Sequence, residues 1–337
     1  MGHRIKAGAL PLAILTYAAL ALAIFPGTYA NMLQSYFREA IVLPMFLGMV
    51  LPVASIVARP RAPFALLMEV LKNSAPRIIL IMTLFCIGIS AFTTFKLAIP
   101  QFVPFYADAF LADVDAFLHG GNPGEFAHAI VPAWAQYPLG YLYGPVWFAL
   151  WFGLIGFVGL QDNARLRQRY FWSMALTIFL LGTLAATAFS SVGPIYYARF
   201  VEPERFSALL AAIRTSAVGD YMAQASAYLL ASYQSDAAGF GTGISAMPSM
   251  HLAIVTLNAC MLWSLHRLMG MLAWTYVALI LLGSVYLGWH YAIDGYFSIA
   301  AVGVIWWAMG RALAASRAEP HFAAEPEVLG ELPVSAK

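Results

Sequence analysis

Three side chains in the last third of this 337-residue chain could do chemistry together: His251, His290 and Asp294. Asp294 follows His290 by four residues, the spacing that places two side chains on one helical face, so its carboxylate can orient one ring nitrogen of the imidazole. An imidazole held that way can act as a nucleophile or a base. A second imidazole on the far side of the reacting group can give and take the other proton. Two histidines and a carboxylate could equally form a facial triad for a divalent ion. In the blandest alternative, both histidines are interface anchors beside Trp289 and Tyr291.

The elements that must bring these residues together are apolar. The chain is apolar from Met250 to about His266, kinks at Arg267 to Gly270, and is apolar again from Met271 to Leu287. Two helices of roughly 17 residues, at 1.5 Å per residue, each cross most of a hydrocarbon layer about 30 Å thick. Folded as a hairpin, they return His290 to the membrane face where His251 began. The whole chain has the same character, with 62% hydrophobic and only 10% charged residues. A soluble domain carries about 25% charged residues, so a polytopic membrane protein is expected. A net charge of +2 gives no ground for a nucleic-acid partner. Cys86 and Cys260 fall inside apolar runs and read as small core residues.

Eight spans are expected, over residues 7–25, 41–58, 77–95, 139–160, 171–192, 250–266, 271–288 and 292–313. The first lies behind Arg4 and Lys6 like a signal peptide, but Pro11 and the lack of a small-residue cleavage site before Tyr29 favour a retained span. With a cytoplasmic N-terminus, thirteen of the 18 Lys and Arg residues fall on the inner side, leaving Arg38, Lys96, Arg199, Arg205 and Arg214 outside. The termini are then cytoplasmic, and His251, His290 and Lys96 face the periplasm or a lumen. The expected organisation is two N-terminal transmembrane helices (1–76), a catalytic membrane domain (77–313) and a disordered cytoplasmic tail (314–337).

Two outer segments are long enough to carry structure. In 101–130, Phe105, Phe110, Val114 and Phe117/Leu118 recur at helical period while Asp108, Asp113 and Asp115 take other faces, which predicts a helix along the interface ended by Gly120-Gly121. His119 and His128 flank that turn and read as solvated loop histidines. Residues 203–232 form a second, milder amphipathic stretch. The hydrogen-bond donors available to an anion at a site here are Lys96, at the outer edge of the third span, and the start of the helix at Pro248-Ser249, where Ser249 is a cap or hydroxyl donor.

Ala246-Met-Pro-Ser-Met-His251-Leu-Ala and Ser284-Val-Tyr-Leu-Gly-Trp-His290-Tyr-Ala-Ile-Asp294 resemble the second and third signatures of the type 2 phosphatidic acid phosphatase superfamily. The closer likeness is to its lipid phosphotransferase branch, such as the inositol phosphorylceramide synthases. The resemblance implies an all-α membrane bundle with a six-helix catalytic core. It also implies His290 as the nucleophile of a phosphohistidine, Asp294 as its orienting carboxylate, His251 as general acid and then base, and no metal or cofactor. The implied partners are a phospholipid donor, a lipid or polyol acceptor and the bilayer.

Lys96-Leu-Ala-Ile-Pro100 resembles the start of the superfamily's first signature, but Val103-Pro104 stands where Arg-Pro is expected. Gly283-Ser284 likewise stands where the phosphatase branch has Ser-Arg. Without those guanidinium clamps a dianionic monoester lacks bidentate partners, which favours a phosphodiester substrate and head-group transfer. Arg199 could partly substitute, with Ser284 in the vacated position. Tyr196 and Tyr197, in a segment resembling that branch, and Tyr286 are expected to line the substrate. The alternatives are a lipid phosphate phosphatase using water and a non-catalytic lipid-binding or transport protein.

Overall fold

The computed structural model describes residues 8–40, 48, 51–53, 55–235 and 239–315. Most of the expected span 41–58 and nearly all of the expected tail lie outside the described residues, which contain helices and no strand.

The chain begins with α1 (Ala9–Ile24) and α2 (Pro26–Glu39), both packed on α3 (Pro63–Phe102). α2 lies where no element was expected. It is too polar for a span, and it docks by one face through Tyr29, Met32 and Tyr36. The Tyr36 hydroxyl reaches Thr93 Oγ1 of α3 at 2.7 Å. α3 is far longer than the 77–95 expected, because hydropathy marks only its apolar portion. Its 40 residues make a rod of about 60 Å, twice the hydrocarbon thickness.

Short helices follow: α4 (Asp108–His119), closed by Gly120 at φ 68°, and α5 (Pro123–Ile130), capped by Asn122. The positive φ makes Gly120 the stop signal expected at Gly120-Gly121. α6 (Ala133–Tyr143) and α7 (Pro145–Leu160) form one crossing broken at Gly144, and α8 (Ala164–Ala188) is the next, with a π turn over Leu180–Ala185. α9 (Pro194–Phe200), α10 (Ser207–Thr215) and α11 (Gly219–Ser235) occupy the second long segment. The last three are α12 (Met250–Leu265), α13 (Arg267–Tyr286) and α14 (Ala292–Ala315).

Among the described residues five helices are long and apolar enough to cross a membrane: α3, the α6–α7 pair, α8, α13 and α14. α1 and α12 are apolar but shorter. The chain is thus an integral membrane protein, and each expected span except 41–58 coincides with a described helix. α12 is the centre of the bundle. Leu252 to Leu257, Ala259 and Met261 are buried around its circumference, as expected of a helix that is apolar all round. It packs on α13, α14, α8 and α7. The start of α12, the end of α13 and the start of α14 meet at one end of the bundle.

Candidate active site

His290 lies in the turn between α13 and α14, whose N–H groups at Trp289 and His290 both point at the Ser284 carbonyl, at 3.1 and 3.3 Å. Its ring nitrogen Nδ1 stands 2.8 Å from the Ala246 carbonyl oxygen and 3.3 Å from Asp294 Oδ2. Both neighbours are acceptors, so Nδ1 must carry the proton, which leaves a lone pair on Nε2. Asp294 is fully buried, and its Oδ2 also accepts the Tyr291 N–H at 3.0 Å. The i, i+4 pairing read from the sequence is present, and the Ala246 carbonyl, which only the fold supplies, is the nearer partner.

His251 belongs to the first turn of α12. Its ring stacks on Tyr143 (centroids 4.3 Å apart, 11° between planes) and leans on Trp147 at 4.2 Å. Its centroid is 6.4 Å from that of His290. One phosphoryl group can bridge such a gap when each reacting nitrogen stands about 3 Å from it.

A cavity of about 260 Å³ opens beside both rings, lined also by Lys96, Tyr143, Tyr196, Tyr228 and Trp289. Lys96 enters past Gly243, whose φ is 98° and where an added Cβ would come within 3.1 Å of the lysine Cγ. The loop needs a glycine there for both reasons. Among the described residues Lys96 has no carboxylate partner, and it is the only lysine or arginine on the cavity wall.

His251, His290, Lys96 and Tyr196 therefore converge, with Asp294 behind His290. The other expected site residues lie away from the cavity. Ser249 is fully buried and caps α12 by accepting the Leu252 N–H at 3.4 Å. Ser284, also fully buried, turns its hydroxyl back to the Leu281 carbonyl of its own helix at 2.7 Å. Arg199 is on the exposed face of α9. Tyr197, adjacent to Tyr196, points the other way and packs edge-on against Phe206. Tyr286 is buried against His128, with ring centroids 3.9 Å apart. His128 Nε2 lies 2.9 Å from the Tyr286 carbonyl, and burial lowers its pKa, so it is not simply solvated.

Two carboxylates matter that the sequence placed on other faces than the aromatic residues of α4 and assigned no role. α4 buries Asp108 and Asp115, at 1% and 3% exposure, and exposes Phe110 and Phe117, at 62% and 86%. Asp108 accepts the N–H groups of Val192 and Gly193 and the Tyr291 hydroxyl, at 2.8 to 3.1 Å. Desolvation pushes both carboxyl pKa values up, and the N–H bonds counter it. The signal available in the sequence was the stripe Asp108, Leu111, Ala112, Asp115, one helical face with an acid at each end. Among the described residues no three His, Cys, Asp or Glu side chains gather in a way that could hold a metal ion.

Comparison with protein families matches residues 109–309 to the model described as the PAP2 superfamily. That range holds His251, His290, Asp294 and Asp115, and begins after Lys96. Comparisons with curated proteins and with solved structures find no match.

Proposed function

The chain belongs to the PAP2 superfamily, whose members are phosphatases and phosphotransferases, and we propose that it transfers a phosphorylated head group between lipids through a phosphohistidine on His290. His290 Nε2 attacks phosphorus, the N–P bond forms, and the P–O bond to the donor's alcohol breaks as His251 protonates the departing oxygen. An acceptor hydroxyl then gives its proton to His251 and attacks phosphorus, and the N–P bond breaks. This is the reaction class implied by the resemblance to inositol phosphorylceramide synthases, with a hydroxylated lipid or polyol as acceptor.

The observation that carries this reading over simple phosphatase action is the side-chain inventory of the cavity: among the described residues its wall carries two imidazoles, one ammonium and no guanidinium. A phosphodiester carries one negative charge, which Lys96 can balance. A monoester's second charge needs a bidentate partner in a low-dielectric site. Charge-assisted hydrogen bonds contribute about 1.5–3 kcal/mol, so lacking one should favour diesters by about tenfold or more. Incubating the purified protein with labelled phosphodiester lipids and with phosphatidic acid tests this. Diesters are expected to turn over faster, and a hydroxylated acceptor to divert product from hydrolysis. Inorganic phosphate released from phosphatidic acid as fast as diesters react would assign the chain to the phosphatases.

The site faces the periplasm or a lumen in this reading, on the asymmetry of Lys and Arg across the spans. In a background without native cysteines, Glu202→Cys is expected to react with an impermeant thiol reagent and Arg165→Cys to be protected. The reverse pattern would move the site to the cytoplasmic leaflet.

A further inference from the structure

α4 reaches the catalytic turn through carboxylates. Asp115 Oδ2 accepts the Ala292 N–H at 2.7 Å, and Oδ1 accepts that of Ile293 at 3.0 Å. These are the first two N–H groups of α14, which have no partner within their own helix. With the Tyr291 N–H given to Asp294, three consecutive donors at this helix end are taken by carboxylates. The positive end of α14 is thereby occupied and is not a seat for the substrate's phosphate.

The same bonds fix a direction. α14 starts two residues after His290 and carries Asp294 in its first turn. The Asp294 Oδ2 to His290 Nδ1 distance of 3.3 Å is already near the limit for such a bond, so a slight rotation of α14 would break it while leaving the 2.8 Å contact to Ala246. We propose that Asp115 is a positioning residue for the chemistry at His290. By holding the Ala292 and Ile293 N–H groups from α4, it sets the angle at which α14 leaves the turn, and so keeps Asp294 on the imidazole. Asp108 acts on a wider area, since its partners Val192 and Gly193 adjoin the cavity wall. Outside its own helix, where His119 Nδ1 stands 3.8 Å from its Oδ1, the Asp115 carboxylate bonds to the helix start. Its loss should therefore impair the chemical step and leave substrate binding nearly intact. The inference rests on His290 being the nucleophile.

The test uses the full-length protein in lipid nanodiscs, with kcat and KM per folded molecule, thermal midpoint and trapped phosphohistidine measured together. Asp115→Asn keeps the shape but turns an amide N–H₂ toward one of the two donors. It is expected to lower kcat by about 10–100-fold, on the scale of losing an outer partner that orients a metal-bound histidine, and to hold KM within about twofold, the signature of an interaction lost in the transition state alone. Asp113→Asn, the same change on the exposed side of the same helix, should leave both within about twofold. Asp115→Glu keeps both oxygens on a longer stem and should fall between. It decides the matter if Asp115→Asn does not fold.

A kcat unchanged in Asp115→Asn or, failing its folding, in Asp115→Glu overturns the inference while leaving the reaction assignment standing. So does a fall in thermal midpoint with kcat per folded molecule preserved. A wild-type protein that neither turns over nor traps phosphate on His290 defeats the assignment and the inference together.

Discussion

His290→Ala is expected to lower turnover by about 10⁴-fold or more, the scale seen when a nucleophile is removed from a covalent mechanism. The basis is the protonation state enforced by the fold. With Ala246 and Asp294 both accepting at Nδ1, the lone pair on Nε2 is the reactive electron pair, and His251, the other imidazole on the cavity wall, is engaged in the proton transfers. Acid-labile phosphate trapped from a labelled donor should disappear in the same variant. Asp294→Asn should be milder than the loss of about 10⁴ known for an orienting aspartate whose removal inverts the tautomer, because the Ala246 carbonyl still holds Nδ1–H. What Asn fails to supply is the charge that stabilises the imidazolium form. Retention of more than a few percent of wild-type activity in His290→Ala would remove the covalent step from the mechanism.

The second large effect belongs to His251. His251→Gln should cost about 10²–10⁴-fold with natural lipids, the usual worth of a positioned acid or base. The loss should depend on the leaving group. With a nitrophenyl phosphodiester, whose phenolate departs without a proton, the first step should recover most of its rate. Transfer to the acceptor should stay slow, since the same imidazole must accept that proton. Phosphohistidine is then expected to accumulate as a burst in the variant and not in the wild type. An equal loss with both donors and no burst would strip His251 of its acid–base role and leave it as a binding group stacked between Tyr143 and Trp147.

The sequence by itself determined the properties that are local. Apolar runs marked the membrane crossings, the 250–288 hairpin was legible from two such runs and the kink between them, and the i, i+4 spacing paired Asp294 with His290. Gly120 marked the end of α4. The tertiary structure decided where each polar atom finds its partner. Of the two roles open to Ser249 the structure shows the helix cap, Ser284 turns its hydroxyl to a carbonyl of its own helix, and a carbonyl from Ala246 became the closer support of His290.

The burial of the α4 carboxylates has the clearest physical cause. The sequence put Asp108 and Asp115 on other faces than the aromatic stripe without a partner for either, and the structure buries both while Phe110 and Phe117 face out. Beside a membrane the outer phase is itself apolar, so burying aromatic rings in the protein gains little. A carboxylate is stable only where donors await it. Those donors are the N–H groups of Val192, Gly193, Ala292 and Ile293, roughly 80 to 180 residues away in the chain. No local pattern reports a partner at that distance, and only the packed bundle brings it into place.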